Sequence, residues 1–181
     1  MKKRKLLLII ICAAVLILGI GITVAYIVAS TLSLENTFTV GNVEITLAET
    51  TGESYKMTPG VSVKKDPTVT VKANSEGCWL FVRLTRQDNF DYFCTAEIEE
   101  GWTPLEGNNG VYYRRVEKYA SDQSFKILKG DRVTVKETIT EDDLAALIKN
   151  PTLTVTAYAV QSEGNSTAHD GWLALNAREE E

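Results

Sequence analysis

The chain has 181 residues and a formal net charge of −5, with 19 Lys and Arg residues against 24 Asp and Glu residues. This length predicts one domain with a sizeable core. The first 25 residues contain four basic residues, Lys2, Lys3, Arg4 and Lys5, and no acidic residue, so the remainder carries about −9. An acidic surface does not neutralise phosphate groups, which argues against nucleic acid as a partner.

A hydrophobic run without any charged residue extends from Leu6 to Ala29, directly after the basic cluster. It is long enough to cross a bilayer as a helix, which needs about 20 residues. The basic flank predicts that the N-terminus stays in the cytoplasm. Two interpretations remain open for this run, an uncleaved membrane anchor and an export signal.

Small residues at the first and third positions before a cut are typical of signal cleavage sites. Thr23, Val24 and Ala25 offer this pattern, and residues 28–30 offer a looser one. We favour a cut between Ala25 and Tyr26. Residues 1–25 are then a signal peptide, residues 26–36 a flexible N-terminal segment, and residues 37–181 the folded domain.

Alternating apolar and polar residues dominate the chain after residue 36, and this period of two predicts strands. Val43, Ile45 and Leu47 share one face of the first predicted strand, and the stretch PTVTVKA gives the next. In CWLFVRLTR both faces are apolar, which predicts a strand buried at the centre of a sheet. Further strands are predicted in GVYYRRV, QSFKIL, RVTVKETI and TLTVTAYAVQ.

Two short helices interrupt this pattern. Thr140 precedes three acidic residues and is a predicted N-cap, with Leu144, Leu147 and Ile148 on one apolar face and Pro151 beyond the end. The second helix is predicted in STAHDGWLALNARE, with Ser166 or Thr167 as its cap and Trp172 and Leu175 as its apolar contacts; Gly171 weakens this prediction. Seven or eight short strands with one or two helices predict an antiparallel β-sandwich.

Cys78 and Cys94 are the two cysteines outside the hydrophobic run. In an exported domain they form a possible disulfide. The alternative is a pair of buried free thiols, because cysteine also packs well as a small apolar residue.

The sequence offers no catalytic site, metal site or cofactor site. His169 is the only histidine, and the motifs of zinc peptidases and of serine hydrolases are missing. The acidic clusters are interpreted as solvated surface, and the aromatic residues as packing within the sandwich. We therefore expect a protein that is not an enzyme.

The stretch ENTFTVGNVEITLAE, placed shortly after GITVAY, resembles the TasA/camelysin family of exported Gram-positive proteins. The segment YKMTPGVSVKKDPTVTVKANSEGCWLFVRL and the late strand LTVTAYAVQ are also similar, and the resemblance covers the chain from about Gly19 to Trp172. The residues that carry the motif are Asn36, Phe38, Val40, Gly41 and Val43.

The resemblance implies a jelly-roll-like sandwich, removal of the signal by a SipW-type signal peptidase, and a role at the cell surface or in the extracellular matrix. The best-known members build fibres of the biofilm matrix. Camelysin-type members have been classed as metallopeptidases, but this sequence has no histidine constellation that matches such an activity. The expected partners are therefore the signal peptidase, the membrane before processing, and further copies or related matrix subunits.

A β-prone segment next to the predicted cut suggests how subunits join. An exported strand with unpaired backbone groups adds to the sheet of a neighbour, and repetition of this contact produces a filament. The candidate donor residues are Tyr26, Ile27, Val28, Leu32 and Leu34. The alternative function is a monomeric or membrane-anchored module that binds a partner at the surface.

Overall fold

The computed structural model describes residues 42–51 and 56–179. The predicted signal peptide, its cleavage site at Thr23 to Tyr26 and the candidate donor residues Tyr26 to Leu34 lie outside the described residues. So do the motif residues Asn36, Phe38, Val40 and Gly41. Within the described residues the protein is mainly β, as the alternation predicts, with antiparallel strands and three short helices.

The strands and helices follow one another along the chain with short connections. In chain order they are β1 (Ile45–Ala48), β2 (Ser62–Lys64), β3 (Thr68–Val71), β4 (Cys78–Gln87), α1 (Phe90–Phe93), β5 (Cys94–Thr95), β6 (Thr103–Pro104), β7 (Val111–Val116), β8 (Gln123–Lys126), β9 (Arg132–Val135), α2 (Glu141–Ala145), β10 (Thr152–Gln161) and α3 (Ala168–Glu179). A short 3-10 turn, Lys129–Asp131, precedes β9.

Three antiparallel sheets are formed by these strands. Their orders are β1-β3-β8, β2-β9-β5 and β10-β4-β7-β6. Strands β4 and β10 pair along their full ten-residue length, from Cys78 opposite Gln161 to Gln87 opposite Thr152. Because β7 pairs with the other side of β4, the prediction that β4 is a central strand is confirmed.

The main core lies on the inner face of the four-stranded sheet. Leu80 and Val82 of β4 and Ala157 and Ala159 of β10 are fully buried there. They belong to one apolar cluster with residues of the two smaller sheets, among them Ile45, Val69 and Val135. Burial of these side chains supplies the principal driving force for folding.

A second, smaller cluster lies on the outer face of the same sheet, beneath α3. Phe81 and Val160 from the sheet pack there with Trp172 and Leu175 from the helix. The helix begins after Thr167, whose hydroxyl accepts a hydrogen bond from the amide of Asp170 at 3.1 Å, so Thr167 is the cap. The prediction of this helix and of its two apolar contacts is confirmed.

The other predicted helix, α2, is confirmed in its start and wrong in its extent. Thr140 caps it, with the amide of Asp143 donating to the Thr140 hydroxyl at 3.1 Å. The helix ends at Ala145, so Ile148 is no longer at a helical spacing from Leu144. Leu144 and Leu147 pack against the core, whereas Ile148 is 97% exposed.

Candidate functional site

The described residues do not assemble a metal site. No group of three or more His, Cys, Asp or Glu side chains in residues 42–51 and 56–179 is placed to hold a metal ion. His169 is exposed on the first turn of α3. A concavity of about 440 Å³ is lined by Pro104, Leu105 and residues 107–112, a set that includes no His, Asp, Glu, Lys or Arg. Tyr112 is the one titratable side chain in this lining.

The two cysteines are free, buried thiols. Cys78 is the first residue of β4, and a ten-residue strand extends for roughly 30 Å. From Gln87, at the far end of β4, the chain runs through α1 to Cys94. This segment can span at most about 20 Å back toward Cys78. The remaining separation of the Cα atoms exceeds the disulfide limit of about 7 Å, so of the two alternatives the structure has the buried free thiols and not the disulfide.

The chemistry of these thiols agrees with a packing role. Burial raises the pKa of the Cys78 thiol to about 12, and the nearby Glu117 carboxylate adds to this effect. Burial also raises the pKa of Cys94, against a smaller opposite effect of Lys136. A thiol that stays protonated at neutral pH is a poor nucleophile and a poor metal ligand.

The aromatic residues pack within the fold rather than forming an open aromatic surface. Trp172 is 2% exposed, and its indole N–H donates to Asn108 Oδ1 at 3.0 Å. The ring of Trp172 lies 5.2 Å from that of Phe81 and 5.5 Å from that of Tyr158. Trp79 donates its indole N–H to the carbonyl of Asn165 at 2.9 Å. The prediction that most aromatic residues are packing residues is confirmed for this cluster.

The most distinctive feature of the four-stranded sheet is its edge at β10. Ser162 donates its amide to the Gly77 carbonyl at 2.8 Å, at the end where β10 leaves β4. Along an antiparallel pair, successive residues point their backbone N–H and C=O groups alternately toward and away from the neighbouring strand. Because Ser162 bonds to Gly77, the even-numbered residues of β10 bond to β4. The odd-numbered residues point their backbone N–H and C=O groups away from β4; they are Leu153, Val155, Ala157, Ala159 and Gln161.

No other strand in the described part of the chain pairs with this outer edge. The carbonyl of Gln161 accepts a hydrogen bond from Asn165 Nδ2 at 2.9 Å, which covers one end of the edge. β10 contains no Lys, no Pro and no charged residue, and its register with β4 has no bulge. Ala157 and Ala159 are nevertheless 0% exposed, so the edge is covered at these two residues. The uncharged part of the edge that reaches solvent, at Leu153 and Val155, is a template for strand addition.

Strand β1 lies beside β10, with Cα atoms of the two strands within 8 Å of each other. β1 is an edge strand of its own sheet, as β10 is of the four-stranded sheet, so the edge strands of two sheets are neighbours. Val43, the one described residue of the predicted motif, lies two residues before β1 and is fully buried in the main core. The observed strand begins at Ile45, two residues later than predicted.

Sequence reasoning did not identify the β10 edge as a site. The strand itself was predicted from its alternation, but which strand lies at an edge depends on the order of strands in the sheet. The absence of any charge in TLTVTAYAVQ pointed away from an edge position, since edge strands exposed to water usually carry a charge.

Among residues 42–51 and 56–179, no helix combines the length and the apolar character that a membrane crossing requires. A comparison with models of known protein families finds no match, and neither do comparisons with curated proteins and with solved structures.

Proposed function

We propose that this protein is exported to the cell surface or extracellular matrix of a Gram-positive bacterium, where it serves as a structural subunit or accessory of a biofilm fibre. The observation that carries the proposal is the uncharged edge of β10, which is partly exposed at Leu153 and Val155. The resemblance stated above supplies the setting, including a jelly-roll-like sandwich and a signal removed by a SipW-type peptidase.

Assembly proceeds by strand addition at that edge. The donor is the segment from Tyr26 to Leu34 of another copy or of a related matrix subunit. Its backbone pairs with the outward N–H and C=O groups of Leu153 and Val155, the partly exposed residues of the edge. Each ladder hydrogen bond contributes about 0.5–1.5 kcal/mol, and alternate donor side chains bury apolar surface beside β10.

Signal removal acts as the switch for assembly. Before the cut, the hydrophobic run from Leu6 holds the donor segment at the membrane. After the cut between Ala25 and Tyr26, the segment is free to reach a neighbour. A contact between two different surfaces, donor and edge, repeats head to tail and gives an open filament.

Proline at Val155 tests the acceptor edge. The amide of Val155 points away from β4, so proline removes a group that the added strand needs and leaves the β4 ladder intact. We expect Val155→Pro to remain folded and to form no filaments in negative-stain micrographs of protein that starts at Tyr26. Val155→Ala is the matched control, because it loses the same side chain and keeps the amide.

Deletion of residues 26–33 tests the donor. We expect the deleted protein to fold and to remain monomeric by size-exclusion chromatography. Filaments from the deleted protein, or from Val155→Pro, would refute strand addition at this edge. Mass spectrometry of the exported protein checks the cut, and an intact segment from Lys2 to Ala29 in the membrane fraction would instead favour an anchored module.

A further inference from the structure

The four-stranded sheet is a basic element within an acidic protein. Strands β4, β6, β7 and β10 contain no Asp or Glu, whereas β4 and β7 carry four arginines. Arg86 pairs with Asp91 at 3.4 Å and Arg115 with Glu117 at 2.8 Å. Arg83 has no ion pair with any described residue, although the chain has more acids than bases.

The position of Arg83 is fixed by aromatic rings rather than by an acid. Its guanidinium carbon lies 4.9 Å from the centre of the Trp172 ring and 5.7 Å from that of Tyr158. Stacking of this kind orients the planar guanidinium and leaves its N–H edges available. These nitrogens make no hydrogen bond to described residues, and none is among the buried atoms that lack a partner, so they reach solvent.

Three threonines surround Arg83 on the outer face of the sheet. Thr156 of β10 lies directly opposite Arg83. The next pair on the same face of the sheet is Thr85 of β4 opposite Thr154 of β10. Thr154 is exposed, and the other two are half-buried. We call the surface formed by Arg83, Thr85, Thr154 and Thr156 the Arg83 face. It begins where the aromatic cluster beneath α3 ends.

Charge and hydrogen-bonding chemistry define what fits this surface. A guanidinium presents paired N–H groups that match the two oxygens of a carboxylate. Threonine hydroxyls donate and accept, and therefore suit a ligand that is rich in hydroxyl groups. No acidic side chain from β4, β7 or β10 opposes a negative ligand here.

We propose that the Arg83 face binds the carboxylate and hydroxyl groups of an acidic polysaccharide, that is, a chain of sugars bearing uronic acids. One carboxylate pairs with Arg83, and hydroxyls of the same and adjoining sugars bond to the threonines. The site is complete within a single chain and does not depend on fibre formation. Where subunits repeat along a fibre, many such sites act on one polymer and strengthen the attachment.

Titration of the monomeric protein with trigalacturonate tests this site. We use the form that lacks residues 26–33, so that assembly does not contribute to the result. Nuclear magnetic resonance is expected to show saturable shifts centred on Arg83, Thr85 and Thr156, which weaken as salt is added. The neutral trisaccharide maltotriose is expected to give none. Equal binding of both sugars, or tighter binding of a glycerol phosphate oligomer, would overturn the proposal.

Variants locate the binding on the sheet. Arg83→Gln is expected to weaken trigalacturonate binding by about tenfold or more, because it removes a charge-assisted pair. Arg115→Gln is the matched control on the same face, since Arg115 is already paired with Glu117, and it should change binding less than about twofold. Equal losses in the two variants would mean unspecific attraction and would refute the site.

A conservative variant separates binding from folding. Arg83 also stacks on Trp172, so the melting temperature of Arg83→Gln is measured first. Thr156→Val keeps the shape of the side chain and removes only its hydroxyl. We expect it to weaken binding by about threefold or more with an unchanged near-ultraviolet circular dichroism spectrum. Unchanged binding in both Thr156→Val and Arg83→Gln contradicts the proposal.

Discussion

Gly171 of α3 lies so close to Val160 of β10 that a Cβ atom on the glycine would approach Val160 Cγ1 to 2.8 Å. The same atom would lie 3.3 Å from Trp79 Cδ1. The glycine therefore does not mark a weak point in the helix. It allows the backbone of α3 to sit directly on the outer face of the sheet, above the aromatic cluster.

Gly171→Ala should destabilise the protein, although the same change in an ordinary helix stabilises it by about 1 kcal/mol. Overpacking at a tight contact costs typically about 1–3 kcal/mol and here outweighs the gain in helix propensity. We expect a net loss of about 1–2 kcal/mol in the free energy of unfolding, measured by urea denaturation with tryptophan fluorescence. Leu173→Ala, at an exposed position of the same helix, should change it by less than about 0.5 kcal/mol. A more stable Gly171→Ala protein would contradict this account.

The longer strands were predictable because their alternation is a local property of the sequence. Strands β3, β7, β8, β9 and β10 fall within predicted segments, and β4 extends one residue beyond its predicted segment, to Gln87. The strands β2, β5 and β6 were missed, since two or three residues give too few repeats to reveal a period, and the single-turn helix α1 was missed as well. The division of the strands into three sheets depends on contacts between distant segments, which the pattern of one segment does not contain.

The candidate sites were less predictable than the fold. Arg83, within CWLFVRLTR, carries no signal of its own in the sequence. That it lacks an acidic partner among the described residues follows only from the residues that β7 and β10 place around it. For the cysteines, the sequence allowed a disulfide that the structure does not form. Their separation along the chain permits a disulfide, but the ten-residue length of β4 carries them apart.

Asp66 should make stability depend on pH in the acid range. Its carboxylate accepts hydrogen bonds from the hydroxyl and the amide of Thr50 and pairs with Lys64 at 3.1 Å. The Thr50 hydroxyl is the largest of the effects that hold the pKa of Asp66 well below its ordinary value. Because the folded pKa is the lower one, the stabilisation is complete above the unfolded pKa of about 4 and is lost as pH falls through the folded value.

The difference in the free energy of unfolding between wild type and Asp66→Asn should thus be constant near neutral pH and shrink below about pH 4. Urea denaturation over a series of pH values measures it. Thr50→Val removes the hydroxyl donor and should raise the pKa of Asp66, as followed by nuclear magnetic resonance of its carboxyl carbon. A carboxyl group that titrates at its ordinary pKa in the native wild type would refute this account.

Both cysteines should resist alkylation until the protein unfolds. Cys78 is fully buried and its pKa is raised to about 12, while Cys94 is 6% exposed. We expect iodoacetamide to modify neither residue in the native protein at mildly alkaline pH and both in guanidinium chloride without reductant. Mass spectrometry counts the adducts. A denatured, unreduced protein that accepts no adduct at Cys78 and Cys94 would show that the two form a disulfide after all.

Arg114 stacks on two rings and has no acidic partner among the described residues. Its guanidinium carbon lies 3.9 Å from the centre of the Phe125 ring and 5.4 Å from that of Trp102. Its Nε atom is buried without a hydrogen-bond acceptor, and burial lowers the pKa of the group. Cation–π attraction contributes about 0.5–2 kcal/mol, and a buried donor without an acceptor costs about 1–3 kcal/mol.

These two effects nearly cancel, so the positive charge of Arg114 should add little to stability. Arg114→Met keeps the apolar stem against Phe125 and adds a sulfur–aromatic contact of about 0.3–1.5 kcal/mol. We expect its free energy of unfolding to equal or exceed that of the wild type. Arg114→Ala removes the stem as well and should be the less stable of the two variants. A loss of more than about 1 kcal/mol in Arg114→Met would mean that the guanidinium itself stabilises the fold through its contacts with Phe125 and Trp102.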